Sequence, residues 1–305
     1  VSKYDKTFDN RNFHNIKLVK TSFLNNKGFF LYVKKISSYF FKKYDPLIYI
    51  LLKLNSVNIL SHYKPMVGFK NISWFPDFQH VHYPNFFSGK ELLVRDRLYR
   101  NYINNSDILI VSSKASKKDL KIFCTKNKKI EVLNFVPEID FSLLQKKIHL
   151  KKYINQKLKY IFSPNQFWLH KNHKCIIEAL NILKKKKIKT LCLFSGNNYD
   201  HRNPDNFKNL IKKIKNYRLD NQIKYLGILP YKQIINLIYH SNIIINPSFF
   251  EGWSTTVEEA KILDKDILLS NIQVHKEQNP KKALYFNPRD ANDLAKKIII
   301  KMNKT

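Results

Sequence analysis

The second half of the chain alternates between short apolar runs and longer stretches with one apolar face. The runs are rich in Ile, Leu and Phe, which is typical of strands buried on both faces of a sheet. Strands are predicted at residues 160–163, 191–195, 223–226, 243–246, 267–270 and 284–286, and helices at 172–185, 204–217, 231–240, 255–263 and 291–301. This alternation predicts βαβ units around a parallel sheet.

The first half shows the same alternation less regularly. Strands are predicted at residues 57–61, 71–75, 108–112 and 129–133, and helices at 91–102 and 114–123. We therefore expect an α/β fold with a first lobe at residues 1–136, a linker at 137–152 and a second lobe at 153–305. Because the first sixty residues contain no Gly-rich turn between a strand and a helix, the first lobe is expected to lack its first strand or two.

The formal net charge of +32, from 55 Lys and Arg against 23 Asp and Glu, would normally indicate nucleic acid or an anionic membrane. The excess is spread evenly, since the first 150 residues hold 26 of the basic and 11 of the acidic side chains. Only 7 of the 55 basic residues are Arg, which is the residue best suited to bidentate recognition of phosphates and bases. We therefore expect no nucleic-acid partner and at most a weak contact with an anionic membrane surface.

The sequence also predicts where the protein resides. No apolar run approaches the roughly 18 uncharged residues of a membrane span, and the start of the chain does not have the pattern of a signal peptide. Cys124, Cys175 and Cys192 lie far apart and form no CxxC pair, which suits a reducing compartment. A cytoplasmic protein is predicted, peripheral at most at the inner face of the membrane.

The densest candidate site lies at residues 246–260, where a predicted strand leads through a turn into a helix capped by Ser254 or Thr255. Glu251 is expected in the loop at the mouth of the helix, and Glu259 about two turns along it. The helix start offers N–H groups and a positive dipole to a phosphate. The pattern favours a sugar-nucleotide site. In the alternative interpretation, Glu251 is a turn carboxylate and Glu259 an ordinary solvated helix residue.

A second candidate segment, residues 163–173, lies between a predicted strand and a predicted helix. Near the helix start, Lys171 can meet a diphosphate as a point charge while backbone N–H groups donate hydrogen bonds. The alternative is an ordinary surface lysine. His170 and His173 are three positions apart, but no third ligand with a known metal spacing accompanies them, so capping or packing roles are favoured.

The third candidate is the loop at residues 74–84, which combines aromatic side chains with Asp77, His80 and His82. An imidazole exchanges protons near neutral pH, and a carboxylate can orient it. We therefore expect a wall of the substrate site here, with His80 and Asp77 as catalytic candidates beside Glu251. In the alternative interpretation, Asp77 caps a turn and His80 packs on aromatic rings.

Four blocks of the second half, at residues 165–173, 246–261, 270–280 and 285–288, occur in a characteristic order, and the second contains the E-x7-E spacing of Glu251 and Glu259. In these blocks the chain resembles the retaining glycosyltransferases of the GT-B type, family four (glycosyl transferases group 1). The similarity spans roughly residues 158–303 and continues more loosely at 76–80 and 108–113. It implies two Rossmann-like parallel-sheet lobes, the first of them truncated.

The resemblance also implies an activity and roles for matching residues. Such relatives transfer a sugar, with retention, from a nucleoside-diphosphate donor to an acceptor, here expected to be a glycan or a lipid-linked molecule. Lys171 would bind the diphosphate, Glu251 the sugar hydroxyls and Glu259 the ribose. The other implied donor-binding residues are Gln166, Gly227, Gly252, Trp253 and Ser254. No metal or other cofactor is expected, because positive side chains and a helix N-terminus neutralise the leaving diphosphate.

The chain departs from the family pattern at two positions that concern the donor lobe. Gln166 stands where relatives commonly have an Arg, and Asp264 stands where they often have a Gly after the helix of the second glutamate. Two other functions are considered. A sugar-nucleotide epimerase or a phosphorylase of the same fold would give different products. A basic nucleic-acid-binding protein would bind in a strongly salt-dependent way, but the chain has no recognised reading motif.

Overall fold

Two parallel sheets, of four and six strands, organise the structure, which is a computed structural model of the chain. It describes residues 32, 36, 46–61, 65–124, 128–144 and 159–303, and all structural statements refer to these residues. They divide into two compact units, one within 1–74 and 101–109, the other within 75–100 and 110–305. The lobe boundaries at 136 and 153 stay a prediction, and residues 145–152 of the predicted linker lie outside the described residues.

The first sheet has the strand order β1-β2-β3-β4. The bounds are Ile59–Ser61 for β1, Lys70–Phe75 for β2, Ile108–Val111 for β3 and Lys129–Val132 for β4. The helices of this part of the chain are α1 (Pro46–Leu54), α2 (Gln79–His82), α3 (Gly89–Asn105) and α4 (Lys114–Phe123). Neither α1 nor α2 is predicted from the sequence, because α1 is apolar at most positions and α2 is only one turn long, so neither displays a helical period.

The second sheet has the order β10-β9-β8-β5-β6-β7, and its neighbouring strands are parallel. Its strands are Ile161–Ser163 (β5), Cys192–Phe194 (β6), Ile223–Tyr225 (β7), Ile243–Asn246 (β8), Ile267–Ser270 (β9) and Ala283–Phe286 (β10). The helices are His173–Lys185 (α5), Asn206–Asn216 (α6), Tyr231–His240 (α7), Thr255–Ile262 (α8), Gln273–Gln278 (α9) and Ala291–Met302 (α10). Every predicted strand is confirmed to within two residues. The pattern does not predict the short α9, whereas it predicts the other α-helices described between residues 159 and 303.

The core of the second unit lies on both faces of this sheet. Ile161 and Phe162 are adjacent in β5, so they point to opposite faces and belong to two separate apolar clusters. One cluster includes residues of α5, α6 and α10, and the other includes residues of α7 and α8. Every residue of β8 and β9 is buried, which explains why these strands are continuous apolar runs in the sequence.

The turn after α8 accommodates the unusual Asp264. Its φ of +49° lies in the left-handed region, which Gly adopts most readily and Asp tolerates better than most residues. Its carboxylate lies 2.6 Å from Lys282 Nζ. The departure from the family pattern therefore leaves the turn intact. Of the helices in the described ranges, none has the length and apolar character needed to cross a membrane.

Candidate functional site

The loops after β5 and β8 meet at one edge of the second sheet, because these strands are neighbours in the sheet although distant in sequence. Ligands in open α/β folds bind at such a point. The loop after β5 ends in a short 3-10 helix, Leu169–Lys171, and the loop after β8 contains Glu251. Lys171 Nζ lies 2.7 Å from Glu251 Oε1. The structure therefore places two of the predicted donor-binding residues in direct contact.

This ion pair is largely removed from water, since the side chains of Lys171 and Glu251 are 15% and 8% exposed. Ser248 Oγ donates a further hydrogen bond to Glu251 Oε1, at 2.6 Å. Burial by itself raises the pKa of Glu251, but the positive charge of Lys171 brings that pKa below its usual value. The carboxylate is therefore ionised at neutral pH. The interpretations as a surface lysine and a solvated turn carboxylate are wrong.

Two buried histidines lie close to the ion pair. Burial lowers the pKa of His170 to about 3 and that of His275 to about 4, so both rings are neutral at pH 7. His275 Nδ1 lies 3.0 Å from the backbone oxygen of Ser270. A carbonyl oxygen only accepts hydrogen bonds, so Nδ1 carries the proton of this ring. The formal charges here therefore belong to Lys171 and Glu251.

His173, considered above as a metal ligand beside His170, has a packing role. Its ring stacks on that of Phe167, with the centroids 4.1 Å apart and the planes 12° from parallel. Over the described ranges of the chain, no three His, Cys, Asp or Glu side chains are grouped so that they could hold a metal ion. The packing interpretation of His173 is confirmed.

Helix α8 begins after Ser254, as predicted, but the Ser254 side chain does not cap it. Its hydroxyl instead accepts a hydrogen bond from Asn246 Nδ2 at 2.8 Å, which ties the helix start to the end of β8. Glu259 is 5% exposed, so it is not the solvated helix residue of the alternative interpretation. It is hydrogen-bonded to Tyr231, and burial raises its pKa. Glu259 thus contacts Tyr231, whereas Lys171 and Glu251 contact each other.

Gly252 lies against the segment that follows β2. A Cβ atom at this position would lie 2.0 Å from the backbone oxygen of Pro76 and 2.9 Å from Asp77 Cβ, which is too close for any residue but glycine. Next to it, the indole Nε1 of Trp253 donates a hydrogen bond to the backbone oxygen of Phe135 at 2.9 Å. Both residues therefore hold the Glu251 loop in place through contacts with other parts of the second unit.

Gln166 and Gly227 contact the loop that follows β6. Gln166 Oε1 accepts a hydrogen bond from the backbone N–H of Asn197 at 2.6 Å. The backbone oxygen of Gly227 accepts one from Gly196 at 3.0 Å, and the φ of Gly227 is +74°, a conformation that favours glycine. In this structure the amide of Gln166 is therefore engaged in shaping a loop, at the position where relatives commonly carry an Arg.

The structure corrects the expected position of His80 and Asp77. His80 is 3% exposed, and its ring packs against aromatic rings that include Tyr99, at a centroid distance of 5.0 Å. Asp77 Oδ1 accepts a hydrogen bond from the backbone N–H of Gln79 at 3.0 Å. This is the turn-and-packing arrangement of the alternative interpretation, not an exposed wall. Aromatic neighbours exclude water from His80, and its catalytic role stays a prediction.

A cavity of about 330 Å³ includes Glu251 in its lining. From the first half of the chain, the lining includes His82, Tyr83, Ser116 and Asp119. His82 Nε2 lies 2.9 Å from Asp119 Oδ1. Sequence reasoning considered His82 only as a member of the polar loop and did not consider Asp119. The pattern contains no signal for their contact, because α2 and α4 are brought together by tertiary packing.

The family described as glycosyl transferases group 1 matches residues 144–304, which is more than half of the chain. The chain therefore belongs to this family of retaining glycosyltransferases with the two-lobed GT-B fold, which use nucleoside-diphosphate sugars as donors. No curated protein matches the sequence significantly.

Solved structures of the same fold agree with this assignment. HepE of Anabaena, in complex with UDP and glucose, is 16% identical with a TM-score of 0.67, over 85% of this chain and 72% of that one. A glycosyltransferase from Rickettsia africae is 21% identical with a TM-score of 0.65, over 92% and 73% of the two chains. Sucrose-phosphate synthase from Thermosynechococcus elongatus is 14% identical with a TM-score of 0.66, over 84% and 67%. At these identities the likeness establishes the fold.

Proposed function

We propose that this chain transfers a sugar from a nucleoside-diphosphate donor to a glycan or a lipid-linked acceptor, and that it binds the donor between the loops after β5 and β8. The observation that carries the site is the buried contact of 2.7 Å between Lys171 and Glu251. A buried ion pair is weak support for stability, because apolar residues of similar volume often stabilise a fold as well or better. Its position at the ligand-binding edge of the sheet favours a role in function.

In this proposal, Lys171 supplies positive charge to the leaving diphosphate. The start of α8, beginning after Ser254, adds backbone N–H groups and the positive end of the helix dipole. Charge that develops on the diphosphate as the glycosidic bond breaks is then stabilised by groups already in place, which is usually the largest contribution to such a rate. Binding of the donor phosphates would compete for Lys171 and leave Glu251 free to accept hydrogen bonds from the sugar hydroxyls.

The remaining donor-binding residues act through the position of the backbone. Gly252, Trp253 and Ser254 set the path of the loop from Glu251 to α8, as their contacts with other segments indicate. Glu259 is proposed to hold the ribose, with the hydrogen bond to Tyr231 orienting its carboxylate. Gln166 and Gly227 shape the loop near the nucleotide. No metal ion takes part in the proposed reaction.

The donor that we would test first is UDP-glucose. HepE of Anabaena, whose fold this chain shares, has been solved with UDP-glucose. A ligand that binds the folded state raises its apparent stability by mass action, so thermal unfolding with a panel of nucleotide sugars ranks the donors.

The site is tested by comparing variants of the pair with variants of an ion pair elsewhere. Glu251→Gln and Lys171→Gln remove the charge but keep a side chain of similar size. Each is expected to lower turnover of the best donor about 10²–10³-fold, which is the loss seen when other enzymes lose one group that stabilises charge in the transition state. Glu178→Gln breaks the Lys213 ion pair between α5 and α6, and it should leave turnover unchanged. Wild-type turnover in both site variants would defeat the assignment.

Product analysis separates transfer from the other reactions of this fold. A glycosyltransferase releases the nucleoside diphosphate and places the sugar on the acceptor. An epimerase changes the donor without releasing the nucleotide, and a phosphorylase requires inorganic phosphate. We expect nucleoside diphosphate and a glycosylated acceptor in equal amounts.

A further inference from the structure

A second cavity, of about 450 Å³, adjoins the one around Glu251. Tyr83 and Phe249 line both cavities, and the Tyr83 hydroxyl donates a hydrogen bond to the backbone oxygen of Phe249 at 3.2 Å, which fixes the partition between them. Neither Lys171 nor Glu251 nor Glu259 lines the second cavity. It is therefore distinct from the proposed donor site, and its volume lies within the usual range for small-molecule sites.

One wall of this second cavity is aromatic. The rings of Tyr83 and Phe86 stack with their centroids 5.1 Å apart and their planes 15° from parallel, and the ring of Phe249 lies 6.4 Å from that of Tyr83. Leu169 and Leu210 continue the apolar lining from the loop after β5 and from α6. The three aromatic side chains are only half-buried. A ligand with an apolar part would remove this surface from water, which favours binding.

The same cavity is lined by three cationic side chains, Lys174, Lys213 and Arg289, and the lining residues that the structure describes include no Asp or Glu. Glu178, one turn after Lys174 in α5, offsets part of this charge. Its Oε1 lies 2.5 Å from Lys213 Nζ and 3.9 Å from Lys174 Nζ. Three positive charges and one negative charge leave a net charge of +2 at this cavity.

Arg289 joins the charged and the aromatic parts of the cavity. Its guanidinium lies over the ring of Phe249, 5.7 Å from the centroid. Within the described ranges of the chain, no carboxylate forms an ion pair with Arg289, whose backbone N–H donates to Asn287 Oδ1. A guanidinium presents its N–H groups as a planar fork that matches a phosphate. Arg289 therefore offers a phosphate contact at the edge of the apolar wall.

The neighbouring cavity around Glu251 differs in charge. Its described lining includes Asp119 and Glu251 but no Lys or Arg. This contrast favours an anion in the second cavity over the first, because the energy of a charge depends on the sign of the groups around it. The two cavities thus suit ligands of different chemistry.

We propose that the second cavity binds a phosphate monoester with an apolar tail, its phosphate on Lys174, Lys213 and Arg289 and its tail on the aromatic wall. A phosphate monoester carries a charge of about −1.5 to −2 at pH 7, which complements the net charge of the cavity. A sugar phosphate would satisfy the cations alone, and an apolar alcohol the wall alone. The inference goes beyond the proposed function and uses none of the donor-binding residues.

The test is calorimetric titration of the full chain with geranyl phosphate, a short prenyl phosphate, and with its two halves, geraniol and inorganic phosphate. Geranyl phosphate should bind at least about tenfold more tightly than either half and than glucose 6-phosphate. Arg289→Gln should weaken geranyl phosphate about tenfold, the effect of losing one charge-assisted hydrogen bond, and leave geraniol unchanged. Phe86→Ala should weaken geranyl phosphate but not inorganic phosphate.

Arg97→Gln and Leu93→Ala are the matched controls, since both residues are exposed on α3 and neither lines the cavity. They should leave the affinity for geranyl phosphate unchanged. Phe86→Leu, which removes the stacked ring but keeps an apolar side chain, replaces the alanine variant if that variant unfolds, and it should weaken the same ligand.

Three results would overturn the inference: inorganic phosphate or glucose 6-phosphate binding as tightly as geranyl phosphate, geraniol binding as tightly, or an Arg289→Gln variant with wild-type affinity. Titration with UDP keeps this inference apart from the proposed function, because UDP affinity should change less than twofold in every variant. A chain that binds geranyl phosphate but no nucleotide sugar would contradict the proposed function and leave the second site standing.

Discussion

The loop after β8 and the segment after β2 both contribute to the cavity around Glu251, but different forces hold them. In the loop, the polar side chains of Ser248, Glu251 and Ser254 are buried and have hydrogen-bond partners within the fold. In the segment at residues 77–83, ring packing replaces the polar network, with His80 among aromatic rings and Tyr83 against Phe249. One region is a preorganised polar network, and the other an aromatic core with a polar edge.

This difference indicates how much each region tolerates change. Removing one member of a buried network leaves a desolvated partner behind, which is costly in a medium of low dielectric. At the edge of the aromatic core, the His82 side chain is 45% exposed, and its replacement removes one partner from the Asp119 carboxylate, which is 14% exposed. We therefore expect substitutions of the buried polar side chains in the loop to lower stability more than substitutions at the half-exposed His82.

The largest expected effect comes from removing one partner of the buried pair. Glu251→Ala should lower the free energy of unfolding by about 3–5 kcal/mol, because it leaves the Lys171 ammonium buried without a counter-charge. Glu178→Ala, at a more exposed pair, should cost only about 1 kcal/mol or less. Urea denaturation of both variants measures the difference. Equal costs would mean that the Lys171 pair is solvated, and the contrast between the two regions would be lost.

The contact between the two regions is tested at Gly252. Gly252→Ala should destabilise the protein by about 1–3 kcal/mol or more, because the new Cβ would lie 2.0 Å from the Pro76 carbonyl oxygen and force a backbone shift. Gly89→Ala meets no atom within 4 Å and should be neutral or slightly stabilising. Thermal and urea unfolding provide the comparison. A neutral Gly252→Ala would show that the loop and the segment after β2 are not in contact.

The buried histidines near the loop predict a pH dependence of stability. The pKa of His170 and His173 is lowered to about 3 and that of His275 to about 4, so the unfolded chain binds more protons than the folded one below the usual histidine pKa of 6.5. Stability should therefore fall as pH drops from 6.5 towards 4, by about 1.4 kcal/mol per pH unit for each histidine. Urea unfolding at pH 7, 6 and 5 measures the slope of the free energy of unfolding against pH. His275→Gln should reduce this slope by the contribution of one histidine, about 1.4 kcal/mol per pH unit. A flat profile would contradict the burial of these rings.

The smallest expected effect concerns a single hydrogen bond that anchors the loop. Trp253→Phe keeps an aromatic ring but removes the donor to the Phe135 carbonyl, and it should cost about 1 kcal/mol. The shift of the urea unfolding midpoint, with the dependence of the free energy on urea concentration unchanged, gives the change in the free energy of unfolding. If the variant is as stable as the wild type, the indole bond does not hold the loop, and packing alone must do so.

Much of the fold and part of the site follow from local patterns. The strands of the second sheet are predictable because each is buried on both faces and so leaves a continuous apolar run in the sequence. Lys171 and Glu251 could be selected because they lie in loops after two such strands. Helices α2 and α9 could not be predicted, since four and six residues are too few to display a helical period.

Within the segment at residues 74–84, the sequence could not rank two histidines that are only two positions apart. His80 and His82 share the same local composition, and either could have faced a ligand. Their roles differ because α2 turns one ring into the cluster around Tyr99 and the other towards Asp119 of α4. That choice depends on contacts between residues about 20 to 40 positions apart, which no local pattern records.

The amino-acid sequence by itself determined the alternation of strands and helices, the family and the loops that carry the candidate donor residues, because periodicity, turn residues and motif spacing are local properties. Tertiary structure decided which of those residues touch. Strand order placed β5 beside β8, so that Lys171 and Glu251 form a pair, and packing buried His80 while it left His82 accessible beside Asp119. The physical reason is that burial, charge pairing and desolvation depend on neighbours in space, and these are fixed only when the whole sheet has formed.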